Sequence, residues 1–197
     1  MPLAEDTPAR AMQVIFVLRE LRGSVHFNAL TISGVTPVEA HVLNKGAQYA
    51  KTFGWSEPFP DGADKKQLLA DVDAHAARLR RRVPADAVPL QRLRWLNRFF
   101  FHELGFAGNV NDYYDPANSY LHRVLSTRRG IPITLAVLYI ELATQVGLTA
   151  RGVSFPGHFL VKLKMPQGEV VIDPFTGQSL SREELDELLL PYKRNRG

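Results

Sequence analysis

An α+β fold, with helices packed on a small antiparallel sheet, is what the sequence predicts, and three stretches carry that expectation. Residues 132–146 form a helix pattern so apolar that it must be buried on most sides. Directly after it, the segments ARGVSFPGHFLVKL and GEVVID read as two strands joined by KMPQ, the layout of a hairpin. SREELDELLL then opens with Ser181 and Glu184 in capping-box spacing, so a closing helix is expected to cover the core.

Composition bounds the rest. A chain of 197 residues with 45% apolar content is long enough for one domain with a real core and a smaller appendage. No apolar run approaches the roughly 18–20 residues that a membrane span needs. The first thirty residues mix acids and arginines around a short apolar run, unlike a secretory signal, and a cytoplasmic location is expected. There is no cysteine, which removes disulfides, thiolate metal ligands and thiol nucleophiles together. The net charge of +4 includes basic clusters at 78–82, 92–98 and 193–196. Such clusters suit anionic partners or simply a solvated helix face, and no zinc-finger spacing or aromatic-interleaved basic motif accompanies them.

Taken in order, residues 9–22 have helical spacing, Val25, Phe27 and Ala29 alternate as in a strand, and Thr36–Pro37 opens a helix that runs to Gly54. WSEPFPDGAD, residues 55–64, holds two prolines and a glycine and marks the boundary between an N-terminal extension, 1–64, and a core, 65–190. The residues from 191 to 197 are expected to fray. In the core, a helix is predicted from Lys65 to Arg82 with Leu68, Leu69, Val72, His75 or Ala76, and Leu79 on one face. A second runs from Leu90 to Leu104 and stops before Gly105. His75 and His102 fall among apolar positions and read as core residues; no HExxH follows His102, and neither a metal nor a cofactor is expected. A turn-rich segment follows, and Asn118 or Ser119 is placed to cap a short helix, 119–128. Tyr113 and Tyr114 either line a pocket or pack one into the core and one over a helix end.

The candidate chemistry lies in 128–177. If Leu163 pairs with Gly168 across KMPQ, Val161 faces Val170 and His158 stands opposite Asp173, with Cβ atoms about 4.5–5.5 Å apart. A carboxylate there fixes the imidazole tautomer and leaves the other ring nitrogen as a base. The plain alternative is a structural hydrogen bond that ties two strands together.

PGHFLVKL, VIDPFTG and GIPITLAVLYIELATQVGLTARGV resemble the transglutaminase-like core, a papain-related α+β fold. The run YYDPANSYLHRVLSTRRGIPITLAVLY is similar to the bacterial SirB-type branch, and the likeness extends from about Lys65 to Gly177. The resemblance implies a catalytic cysteine opening the buried helix, then a histidine, matched by His158, and an aspartate, matched by Asp173. The cysteine's position falls at Pro132, so thiol-based acyl transfer is excluded in this chain. Ser126, Thr127 and Thr134 are the hydroxyls near the helix start. Thr134, two residues into the helix, is the candidate replacement, although a threonine there more often bonds nearby backbone.

Three functions follow as expectations. The first is a non-catalytic domain that binds a protein segment or small ligand in the former cleft, lined by Tyr113, Tyr114, Asn118 and Pro132. The second is a hydrolase or acyltransferase that uses His158 and Asp173 with water or Thr134. The third, resting on charge alone, is a nucleic-acid-associated factor.

Overall fold

Helix α4 (Pro132–Gln145) runs through the centre of the structure, a computed structural model that describes residues 65–193 apart from Gly157. The elements expected before residue 65, the boundary at 55–64 and residues 194–197 of the tail lie outside the described residues, whereas 191–193, expected to fray, continue the last helix. Every residue from Pro132 to Tyr139 is buried, as the all-round apolar pattern requires. Pro132 occupies the first helical turn, where a missing N–H costs nothing. At the other end Gly147 adopts φ +77°, its N–H bonds Thr144 O at 3.0 Å, and the Leu148 N–H bonds Ala143 O at 3.0 Å. That is a Schellman closure, and glycine enters it without strain. Arg92 then donates to Val146 O at 2.9 Å and to Ala87 O at 2.7 Å, tying the helix end to the preceding interhelical loop.

Around α4 lie α1 (Lys65–Arg80), α2 (Pro89–Asn97) and α3 (Leu121–Thr127). Helix α1 buries Leu68, Val72, Ala76 and Leu79, so Ala76 and not His75 completes its apolar face. His75 is half-buried, with Nε2 3.2 Å from the Arg128 guanidinium, which also lies over the Phe106 ring. The second predicted helix changes form at Arg98–Glu103, where it widens into a π-helical turn. This turn sets Phe99 and Phe100 both inward, whereas His102, expected in the core, is exposed. Burial pushes the Tyr139 hydroxyl far above its ordinary pKa, and that hydroxyl donates to Asn97 Oδ1.

The sheet is antiparallel in the order β3 (Thr149–Phe155), β4 (His158–Met165), β5 (Gly168–Ile172), β6 (Ser179–Leu180). A separate parallel pair joins β1 (Ala107–Gly108) to β2 (Arg129–Gly130). Helix α4 lies against β3 and β4. Two expectations are corrected here. The stretch 150–163, read as one strand, is a hairpin: β3 ends at Phe155, which pairs with His158 at the start of β4. A Pro-Gly dipeptide is itself a turn signal, and the apolar alternation on both sides hid it. The β4–β5 register also differs by two residues, because Met165 pairs with Gly168 and Leu163 with Val170. Two-residue loops are the commonest hairpin connection, and Pro166–Gln167 supplies one here.

The capping box forms as expected, with Ser181 N–H to Glu184 Oε2 at 2.7 Å and Glu184 N–H to Ser181 Oγ at 3.2 Å. The helix it opens, α5 (Arg182–Lys193), does not cover the core. Leu185 and Leu189 are half-buried, while Leu188 and Leu190 are 47% and 49% exposed. Among the described residues no helix is long and apolar enough to cross a membrane.

Candidate functional site

His158 opens β4 and Asp173 lies one residue beyond β5, and the structure brings them together: Nε2 stands 2.9 Å from Oδ1. The two-residue shift in register explains how the pair survives. A slip by one residue flips a side chain to the other face, whereas a slip by two preserves it. Continuing the ladder sets Asp173 opposite Leu160, so His158 is a diagonal neighbour on the same face. Diagonal Cβ atoms are about 7–8 Å apart, a gap that an imidazole and a carboxylate can bridge between them.

Asp173 is held more firmly than one strand pairing could manage. Oδ1 also accepts from the Phe175 N–H at 2.8 Å, and Oδ2 accepts from the Thr176 hydroxyl at 3.0 Å. The backbone closes the same turn: Asp173 N–H donates to Gln178 O and Gly177 N–H to Asp173 O, both at 2.8 Å. Burial alone would raise this carboxyl. The His158 hydrogen bond and charge, the Phe175 N–H and the Thr176 hydroxyl outweigh it and hold the group below the usual carboxylate range. Asp173 is therefore ionised at neutral pH and acts only as an acceptor. Thr176 and Phe175 were absent from the sequence-derived site, although an aspartate that accepts from the backbone N–H two residues on, as Asp173 does from Phe175, is recognisable turn chemistry.

Phe175 links the dyad to the rest of the domain. Its ring meets the His158 imidazole edge-on, with centroids 6.1 Å apart at 78°, and meets Tyr113 at 5.9 Å. Gly108, in β1, donates its N–H to Phe175 O at 2.9 Å. A Cβ on Gly108 would lie 2.3 Å from the Phe175 ring, so the aromatic seat exists only because that residue is glycine.

The remaining predicted residues take different parts. Asn118 is 3% exposed and is a scaffold for the tyrosine loop, its amide donating to Asp112 O at 2.7 Å and Tyr113 O at 3.1 Å while Oδ1 accepts from Asn109. It does not cap α3, since Asp115 caps the short 3-10 turn Pro116–Ser119 through the Ala117 N–H. Tyr113 and Tyr114 make a T-shaped pair and are 36% and 60% exposed, so neither packs into the core. Pro132 is buried at the helix start. Thr134 is wholly buried, and its hydroxyl is surrounded by backbone: it accepts from the Ile131 N–H at 3.1 Å and lies 2.9 Å from Asn118 O and 3.0 Å from Ile131 O. This is a helix-start anchor, with no hydrogen bond to the dyad. Ser126 and Thr127 bond Arg123 O on the exposed side of α3. Among the described residues no cluster of three or more His, Cys, Asp or Glu could hold a metal.

Comparison with known proteins places the core. The chain matches the family model of the transglutaminase-like superfamily over residues 66–196, and a helix-turn-helix family model over residues 1–89. It is 44% identical over 122 residues to a UPF0162 protein of Xylella fastidiosa, covering 61% of this chain and 43% of that one. A UPF0162 protein of Vibrio cholerae is 36% identical over 98 residues, 49% of this chain and 36% of that protein. Human F-box only protein 21 is 43% identical over 72 residues, 36% of this chain and 12% of its own length. The matched stretch therefore spans less than half of each of these relatives. No solved structure matches the chain. The transglutaminase-like match covers most of the chain and coincides with the helices, hairpin and His158–Asp173 pair described above, so the chain belongs to the transglutaminase-like superfamily.

Proposed function

We propose that this domain binds a protein segment or small ligand beside His158 and Asp173 and does not catalyse a reaction. The observation that carries this reading is the start of α4. Proline fills the position where the resemblance places a nucleophile, the chain has no cysteine, and the hydroxyl of Thr134 is enclosed by backbone partners. The dyad and its aromatic surround are nevertheless kept in good geometry, which favours a retained recognition surface. A related 72-residue stretch within the much longer F-box only protein 21 supports a module that works inside larger proteins. Turnover assays on the intact chain and its His158→Ala variant test the reading, with no activity expected from either.

The intact 2.9 Å pair favours a second reading, hydrolysis in which His158 activates water. The same assays decide it. The helix-turn-helix match favours nucleic-acid binding by residues 1–89. That activity requires duplex DNA binding that weakens steeply with added salt; no binding at low ionic strength removes it.

A further inference from the structure

We propose a second binding site, apart from the dyad: a cavity at the start of α2 that takes a free α-amino acid with an apolar side chain. The cavity has a volume of about 330 Å³ and is lined by Pro84, Asp86, Gln91, Arg94 and Trp95. None of these residues belongs to the β4–β5 hairpin, so the proposal stands independently of the reading above.

The walls of this cavity are braced by hydrogen bonds within the protein. Arg92 donates from Nε to Ala87 O at 2.7 Å, from Nη2 to Ala85 O at 3.4 Å and from Nη1 to Val146 O at 2.9 Å. The loop 84–88 is thereby tied to α2 and to the end of α4. Within the loop, the Ala87 N–H bonds Pro84 O at 3.1 Å, and the Val88 N–H donates to Gln91 Oε1 at 3.1 Å. Trp95 is half-buried and packs against the hydrophobic core. Binding to walls already ordered avoids the cost of ordering them.

The chemistry of the lining selects the ligand. Asp86 comes from the loop and Arg94 from α2, so the cavity carries one charge of each sign. An anion alone would be opposed by Asp86 and a cation alone by Arg94, whereas a zwitterion complements both. Gln91, Arg94 and Trp95 share one face of α2, at spacings of three and four residues. The planar guanidinium of Arg94 suits a carboxylate. Gln91, with its Oε1 engaged by Val88, has amide N–H groups to donate on the same face. Asp86 accepts from an ammonium, and Pro84 with Trp95 gives an apolar side chain its surface. The volume lies at the low end of the roughly 300–1,000 Å³ range of ligand pockets, which suits a single amino acid.

The test uses the full chain labelled with 15N-tryptophan, whose two indole signals are told apart by Trp55→Phe. L-Leucine at millimolar concentration is expected to shift the Trp95 signal saturably. N-acetyl-leucine lacks the ammonium and leucinamide the carboxylate, and each should bind about tenfold more weakly for the loss of its charge-assisted hydrogen bond. Glycine, with no apolar side chain, should also bind more weakly than leucine. Arg94→Gln should weaken leucine about tenfold and leave leucinamide unchanged. Asp86→Asn should weaken leucine similarly and leave N-acetyl-leucine unchanged. Both residues are exposed, so each variant should fold, and an unaltered ligand-free tryptophan spectrum checks this. Equal affinity for the three leucine compounds, tighter binding of either blocked compound, or a Trp95 signal that none of the four moves overturns the proposal.

Discussion

Replacing Gly108 by alanine should lower stability by about 1–3 kcal/mol, the usual cost of forcing extra atoms into a packed site, and should disturb the dyad some distance away. The added Cβ would fall 2.3–2.4 Å from three atoms of the Phe175 ring, well inside any real contact. Phe175 must move, and its N–H is one of the donors that fix Asp173 Oδ1. The effect should therefore appear twice: in thermal unfolding, and in the His158 imidazole resonances, which report the Nε2 hydrogen bond. Phe175→Ala added to Gly108→Ala should cost less than it does alone, because the clash and the packing loss share one partner. A Gly108→Ala protein with wild-type melting and an unchanged His158 spectrum would show that the β1 seat does not govern the site.

Thr134→Val is expected to cost about 2–4 kcal/mol, since it strands a buried Ile131 N–H and removes a donor from backbone carbonyls, each worth about 1–3 kcal/mol when left unpaired. Valine keeps the shape, so the loss isolates the hydroxyl. Thr134→Ser keeps the hydroxyl and should recover most of that difference, losing only a methyl group. Urea unfolding of the three proteins measures both steps. If valine proves as stable as serine, the hydroxyl does not anchor the helix start, and a role in chemistry gains ground.

How far the sequence could be read depends on which interactions are local. The buried helix, its proline entry and its glycine exit follow from 3.6-residue periodicity and end signals within 132–147, and all three stand in the structure. The Ser181–Glu184 box also forms, because both partners lie within one turn. What the box could not reveal is that α5 leaves Leu188 and Leu190 exposed, since burial depends on elements distant in sequence. The hairpin shows the same division. Face parity made the His158–Asp173 pairing legible despite a register off by two, yet the loop length that sets the register was misread because Lys164 and Met165 continue the strand. Gly108 and Phe175 were invisible, as their contact joins segments more than sixty residues apart without any periodic signal. Thr134 was legible in type but not in role: a first-turn threonine suits either a nucleophile or an anchor, and only its burial separates them.

Turnover by the intact chain bears most directly on the central claim, that this superfamily member retains a recognition surface without a nucleophile. Wild type, His158→Ala and Asp173→Ala would be incubated with a broad panel of amide, ester and thioester probes, with product release followed by mass spectrometry. The expected result is no product above the uncatalysed background and identical profiles for the three proteins. Reproducible turnover by wild type that disappears in His158→Ala would contradict the claim and establish His158 as a base acting on water.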